Sequence, residues 1–326
     1  MENTVLIVLG MAGSGKSSFC HRLYSWLSEK NMQIDSRTGL NDLVCGVNLD
    51  PAALSVKMPL HYDIRETINI QELMQQKKLG PNGAIVASIN LFITQIDVFI
   101  SQLVELKPRY TVIDTPGQIE MFTTSVSGQI LVQCLSRTPG IRVKMVYAMD
   151  GERAQNPQCF ISNMLFATSI RYRFQEQVLL TVNKSDICGS EKVREWASGF
   201  EAFSHALPEN SNTTPIMHSI ALWMEEFYST FHLLYVSAAT GMGKAAFLSE
   251  VEKQAPASAP GEKSASTAEG PADSQAAVIS TILEALKRTT ILCTPPESEH
   301  VDNSTDKDES SSTPEEHQNK ENILSK

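Results

Sequence analysis

An apolar run, Val5 to Leu9, leads without a break into Gly10-Met11-Ala12-Gly13-Ser14-Gly15-Lys16-Ser17, and a helix-patterned segment, Ser18 to Leu27, follows. Nothing else in the chain restricts its fold as strongly. The octet matches GxxxxGK[ST] in the setting a phosphate-binding loop requires, with a strand before it and a helix after it. Glycines let successive backbone N–H groups turn toward one anion, and the start of a helix adds the positive end of its dipole. Gly13, Ser14, Gly15, Lys16, Ser17 and Ser18 are therefore the expected phosphate cradle. Lys16 supplies a point charge for the β and γ phosphates, and the Ser17 hydroxyl is a candidate ligand for Mg²⁺.

Five more short apolar runs recur downstream, Val44–Leu49, Tyr110–Ile113, Val143–Met149, Val178–Val182 and Leu233–Val236. They are rich in Val, Ile and Leu and do not alternate with polar residues, as suits parallel strands covered on both faces. Helical patterns lie between them. In 217–231, Ile220, Trp223, Met224, Phe227 and Phe231 share one stripe, read as core. Strands alternating with helices predict an α/β fold, a doubly wound and mostly parallel sheet with helical insertions. Ligands of such sheets sit beyond the carboxyl ends of the strands, so the residues that close each run become the candidates.

The run at 110–113 ends in Asp114-Thr115-Pro116-Gly117, then Gln118. A carboxylate closing a strand can support Mg²⁺, and Gly117 lets a bare N–H approach a γ-phosphate. Gln118 stands where a glutamine can orient an attacking water. The run at 178–182 leads into Asn183-Lys184-Ser185-Asp186, an NKxD pattern. Asp186 can accept from the N1–H and N2–H₂ edge of guanine, whereas adenine would leave the acid unpaired. The Lys184 stem can lie along the base, and Asn183 can tie this loop to the first. Ser237-Ala238-Ala239 follows the last run, and a backbone N–H of such a loop can meet the guanine O6. The second run closes on Asn48-Leu49-Asp50-Pro51. Asp50 can reach Mg²⁺ indirectly or polarise a water; its spacing alone also suits a plain turn.

Composition sets the limits. Lys and Arg number 27 against 37 Asp and Glu, a net charge of −10. This argues against a broad nucleic-acid footprint. Six cysteines, at 20, 45, 134, 159, 188 and 293, form no CxxC pair and have no histidine at ligand spacing, so a structural zinc is not expected. No run approaches the ~18 apolar residues of a membrane span, and a soluble, intracellular chain with reduced thiols is expected. One domain over 1–251 is followed by an Ala/Pro/Ser-rich linker at 252–277. At 278–291, Ile279, Ile282, Leu283 and Leu286 fall on one helical face; this short helix either docks on the core, binds a partner or acts as an export-like element. Nine acidic residues and three lysines leave 292–326 at −6, a solvated acidic tail.

In this order, GMAGSGKS, NLDPA, Gly80-Pro81-Asn82 within GPNGAIVASINLF, DTPGQIE and NKSD resemble the GPN-loop GTPases over about residues 3–250. About 95 residues separate the phosphate loop from DTPG, more than in small signalling GTPases. SNMLFATSI at 162–170, the GMAGSGK form and the acidic tail look most like the family's eukaryotic branch one. The resemblance implies a P-loop GTPase fold and GTP hydrolysis with Mg²⁺, alternating with GDP. It implies a homodimer or a heterodimer with a paralogous GPN-loop GTPase, in which Asn82 acts in trans on the partner's phosphates. Asp50, Gln118 and Glu120 would surround the attacking water. It further implies RNA polymerase II subunits as partners, a role in polymerase assembly and nuclear import, and a cytoplasmic chain that shuttles to the nucleus, with no direct nucleic acid or membrane binding. From residue types alone, Gly-Pro-Asn reads as a turn.

The chain departs from the family at Ser17-Ser18, where threonine is common but the hydroxyls are kept. It also departs at 35–43, which reads as extra loop, and at Gly151-Glu152-Arg153, expected to bear on a partner contact. Two other functions share the phosphate loop. An ATP-dependent small-molecule kinase would lack a reason for NKxD, and a GTP-binding scaffold with incidental turnover would keep every motif.

Overall fold

The computed structural model describes residues 2–29, 43–187, 191–207, 217–222 and 231–253. Seven strands form one sheet: β1 (Asn3–Leu9), β2 (Val44–Asn48), β3 (Tyr62–Asp63), β4 (Tyr110–Asp114), β5 (Ile141–Asp150), β6 (Gln177–Asn183) and β7 (Leu233–Tyr235). Their order is β3-β2-β4-β1-β5-β6-β7, and every pairing is parallel. The expected doubly wound fold is present. The two-residue edge strand β3 is an addition, because two residues carry no readable pattern. β1 lies between β4 and β5, so the chain's winding reverses there, and the crevice beyond its carboxyl end is where a ligand belongs.

Burial on both faces explains the unalternated runs. Along β1, Val5, Ile7 and Leu9 enter one core layer with Phe122, Leu131, Phe160 and Leu165. Leu6 and Val8 enter the other, with Phe19, Leu23, Trp26 and Phe247. Each such side chain contributes roughly 1.5–3 kcal/mol of burial. The second layer is made by α1 (Lys16–Glu29) and the last helix among the described residues, Lys244–Glu252, joined edge to face where Phe19 meets Phe247 at 5.3 Å. That packing fixes the helix that carries the phosphate loop. Ile220 and Phe231, from the stripe at 217–231, are both buried in the first layer.

On the β3 side two short helices, α2 (Ile64–Thr67) and α3 (Ile70–Lys77), lead to α4 (Pro81–Ile93) and α5 (Ile96–Leu106). Tyr62, Phe92 and Phe99 pack edge to face, with centroids 5.1 to 5.5 Å apart, locking this pair to the sheet edge. Gly80-Pro81-Asn82 does not close as a simple turn. Gly80 is the N-cap of α4 and Pro81 its first residue. Proline's fixed φ and missing N–H cost nothing at that position. Further along lie α6 (Ile119–Thr123), α7 (Val126–Arg137), α8 (Pro157–Phe174), α9 (Glu191–Trp196) and α10 (Phe200–His205). Among the described residues no single helix is long and apolar enough to cross a membrane.

The linker beyond residue 253, the segment 278–291, the acidic tail, nearly all of the 35–43 insertion, Trp223, Met224, Phe227, Cys188 and Cys293 lie outside the described residues.

Candidate functional site

The turn between β1 and α1 is shaped by what its glycines touch. A Cβ on Gly10 would stand 2.3 Å from the Ala148 carbonyl oxygen, so β1 leaves the sheet against bare backbone. Gly15 has φ +83°, and a Cβ there would lie 2.7 Å from Asn183 Nδ2. That conformation and that contact both require glycine. Lys16 is buried, and its Nζ donates to the carbonyls of Met11 (3.3 Å) and Gly117 (3.2 Å). Burial lowers its affinity for a proton, against the pull of Asp114, Cys20, Asp50 and Glu120. These residues, drawn from three chain segments, thus act on one ammonium group.

Asp114 closes β4 and is buried. Its carboxyl is raised above the usual range by burial, opposed by a hydrogen bond from Ser17 and by the charge of Lys16. One of its oxygens, Oδ1, is buried with no hydrogen-bond partner, as is Ser14 Oγ. Among the described residues no group of three or more His, Cys, Asp or Glu can hold a metal by itself. A hydroxyl, one carboxylate and the phosphates of a substrate are instead the donor set that suits Mg²⁺, a hard cation that takes few protein ligands. The unpartnered Asp114 oxygen beside Ser17 fits that ion.

Asp50 approaches from the end of β2. Its Oδ2 accepts from the Gly117 N–H at 3.2 Å and its Oδ1 from the Ala52 N–H at 3.0 Å. Burial raises its carboxyl above the ordinary range, outweighing these bonds and the charges of Lys16 and Arg65. Asn48 closes the loop around it, donating to the Asp50 carbonyl (3.2 Å) and accepting from the Asp50 N–H (3.1 Å). Glu120 lies in the first turn of α6, near enough to Lys16 and Tyr147 to act on both electrostatically. Gln118 occupies the N-cap position of α6, exposed and with no side-chain capping bond. Asn82 is exposed on the first turn of α4, and among the described residues no hydrogen bond joins it to the phosphate loop.

The NKxD loop is bound to the phosphate loop directly. Asn183 Nδ2 donates to the Ser14 carbonyl at 2.9 Å, and its Oδ1 accepts from the Ala238 N–H at 3.1 Å. Lys184, with φ +61°, donates to the Gly13 carbonyl (2.9 Å) and to Asp150 Oδ2 (2.8 Å). Asp186 remains exposed at the mouth. Ser237, Ala238 and Ala239 line the same edge.

Three residues here, Asp150, Arg65 and Arg22, escaped sequence reading, and a fourth, Arg153, was expected at a partner contact. Asp150 had the strand-end position that marks the others. Arg153 donates to the Ala12 carbonyl at 3.2 Å, so the Gly-Glu-Arg segment turns toward the phosphate loop. Arg65 grips Asp63 through Nε at 3.0 Å and Nη2 at 2.6 Å and reaches the Ala53 carbonyl at 2.8 Å, bracing the Asp50 loop. Arg22 donates to the carbonyls of Ala238 and Ala239, both at 2.7 Å. Nothing in the local sequence distinguishes these arginines from solvated ones.

Comparison with known proteins places this geometry among relatives. The family described as "Conserved hypothetical ATP binding protein" matches residues 8–257. The chain is 38% identical over 253 residues to GPN-loop GTPase QQT2 of Arabidopsis thaliana, covering 76% of this chain and 63% of that protein. It is 36% identical over 268 residues to GPN-loop GTPase 1 of Saccharomyces cerevisiae, covering 78% and 66%. The chain thus spans just under two thirds of the length of these relatives. The apo crystal structure of a GTPase from Pyrococcus abyssi superposes with a TM-score of 0.64 at 25% identity, covering 76% of this chain and 96% of that one.

Proposed function

This chain belongs to the GPN-loop GTPase family, and from that premise we propose that it binds GTP at the carboxyl edge of the sheet and hydrolyses its β–γ anhydride. The observation that carries the reading is the direct bond from Asn183 to the Ser14 carbonyl. It joins a guanine-reading loop to a phosphate-reading loop at fixed separation, as one nucleotide requires.

In this reading the N–H groups from Gly13 to Ser18 surround the phosphates, and Lys16 exchanges two carbonyl partners for phosphate oxygens. Ser17 and Asp114 would hold Mg²⁺, which when bound neutralises charge on the β and γ phosphates. Asp50, Gln118 and Glu120 orient a water in line with the γ-phosphorus. The Asp50 carboxylate accepts a hydrogen bond from that water as the new P–O bond forms and the bond from the γ-phosphorus to the bridging oxygen breaks, the water's proton passing to the released phosphate and the bridging oxygen leaving on GDP. The products are GDP and inorganic phosphate. Most of the acceleration is positioning and charge stabilisation.

Gln118 and Asn82 stand exposed on a single chain, and so do the apolar side chains Leu91, Val98, Val126 and Ile130. Both features support a dimer, of like or paralogous subunits, in which Asn82 of each completes the other's site. The same family resemblance supports RNA polymerase II subunits as partners, assembly and nuclear import of that enzyme as the output, and a cytoplasmic chain that shuttles to the nucleus.

The test is competition binding of GTP, XTP and ATP to the purified full chain, with phosphate release measured in parallel. GTP preference with release of phosphate supports the reading. Preference for ATP overturns it in favour of the kinase alternative, and tight GTP binding without release converts it to a nucleotide-binding scaffold. Recovery of partners from extract, with the chain loaded with GDP or a non-hydrolysable GTP analogue, tests the polymerase role: absence of polymerase subunits in both states refutes it.

A further inference from the structure

The loop after β7 has an unusual hydrogen-bond inventory. The Ser237 N–H donates to the Met242 carbonyl at 3.1 Å and the Gly241 N–H to the Ser237 carbonyl at 2.9 Å. The Ala238 N–H is taken by Asn183 Oδ1, the Thr240 N–H by Ser237 Oγ at 3.0 Å, and the Met242 N–H by Thr240 Oγ1 at 3.4 Å. Among the described residues the Ala239 N–H is the one amide from 237 to 242 without a partner.

Arg22 decides where that amide points. A trans peptide is planar, and its C=O and N–H face opposite ways. The Ala238 carbonyl and the Ala239 N–H belong to one such plane. Arg22 Nε holds that carbonyl toward α1 at 2.7 Å, which turns the Ala239 N–H away from α1. Arg22 Nη2 holds the next carbonyl, of Ala239, also at 2.7 Å. A planar guanidinium gripping two consecutive carbonyls fixes both planes at once, which a single ammonium cannot do.

We propose that Arg22 is a positioning residue for purine selection, presenting the Ala239 N–H to the O6 position of a guanine ring. This inference rests on the guanine reading given above. Position six is an acceptor in guanine and a donor in adenine, so a fixed N–H rewards the first and leaves the second with two donors face to face. Asp186 reads the opposite chemistry, the N1–H and N2–H₂ edge. The two readers are separable. Because α1 begins at Lys16 and carries Arg22, the helix that grips phosphate also sets the base-reading amide.

The experiment is competition binding to the full chain with Mg²⁺ present, using GDP, 6-thio-GDP, IDP and ADP. 6-Thio-GDP changes only the acceptor at position six; IDP lacks only the 2-amino group. Wild type is expected to favour GDP over 6-thio-GDP about tenfold, and Arg22→Gln to reduce that preference to less than about threefold. The preference for GDP over IDP should stay within about twofold of wild type, which a general loosening of the pocket would not allow. Arg22→Lys, with one donor nitrogen in place of a planar pair, should fall between and carries the same comparison if the glutamine variant does not fold. An unchanged preference at position six in a folded variant overturns the proposal, as does parallel loss of both preferences. Wild type that fails to favour GDP over ADP overturns the guanine reading itself, and this inference with it.

Discussion

The Gly117 N–H donates to Asp50 Oδ2 at 3.2 Å while the Gly117 carbonyl accepts from Lys16 Nζ at the same distance. The turn that should greet a γ-phosphate is thus tied on one side to a carboxylate and on the other to the phosphate-loop lysine. A nucleotide competes for both partners, since phosphate oxygens satisfy the N–H and the ammonium together. In the proposed reading, nucleotide binding would therefore be coupled to release of the Gly117 turn, the kind of loop whose ordering a γ-phosphate controls.

Asp50→Ala should reduce single-turnover hydrolysis by roughly 10²–10³ while leaving GDP affinity within about threefold. Asp50→Asn keeps an acceptor for Gly117 but no charge, and it should be as slow as the alanine variant. If asparagine restores the rate, the side chain is a tether only. Burial holds the Asp50 carboxyl above the usual range, and the proposed water-orienting role needs its charged form. The wild-type rate should therefore fall as pH drops through a value above that of an ordinary carboxylate, and this limb should vanish in the asparagine variant.

Asp186→Asn should move preference from guanine to xanthine nucleotides, because the xanthine edge offers an acceptor where guanine offers a donor. The expected change in the GTP-to-XTP affinity ratio is on the order of 10²-fold or more, in line with the cost of a mispaired buried polar group. Unchanged GTP selectivity would remove Asp186 from the base site.

Asn82→Ala should lower turnover by about 10–100-fold with nearly unchanged GTP affinity. In mixed dimers with one subunit already inactivated at Asp50, the loss should appear in the neighbour's site. A defect confined to the mutant's own site would end the trans assignment, which the exposed place of Asn82 on α4 supports.

Lys144 is buried in β5 and donates to the carbonyls of Glu250 (3.1 Å) and Lys253 (2.7 Å), holding the carboxyl end of the helix Lys244–Glu252. Burial brings its ammonium down to about 8. The unfolded chain keeps this proton to higher pH than the native one, so the unfolded state binds more protons between the two values. Native stability should therefore rise as pH increases from about 8 toward the ordinary lysine value, by on the order of 1–2 kcal/mol. Denaturant melts of wild type and Lys144→Met across that window measure the effect: the rise attributable to this group should be missing from the methionine variant.

The motifs are contiguous, and that is why they could be read. Asp114 and Asn183 close strands, and Lys16 and Asp186 follow strands within short patterns whose backbone demands are local; parallel strands buried on both faces leave unbroken apolar runs. β3 could not be read in this way, because two residues have no period. Gly-Pro-Asn misled by residue type: the same preferences suit a turn and the start of a helix, and only the packing of Ile85, Ile89 and Phe92 beneath α4 chooses between them. Arg22, Arg65 and Arg153 lay beyond reach for a deeper reason. An arginine's local sequence is the same whether it faces water or a carbonyl, and its direction depends on which distant segment the sheet brings beside it. Sequence by itself therefore determined the order of the chemistry along the chain. Tertiary structure alone decided which carbonyls the arginines hold, and which amide of the 237–242 loop, that of Ala239, is left without a partner among the described residues.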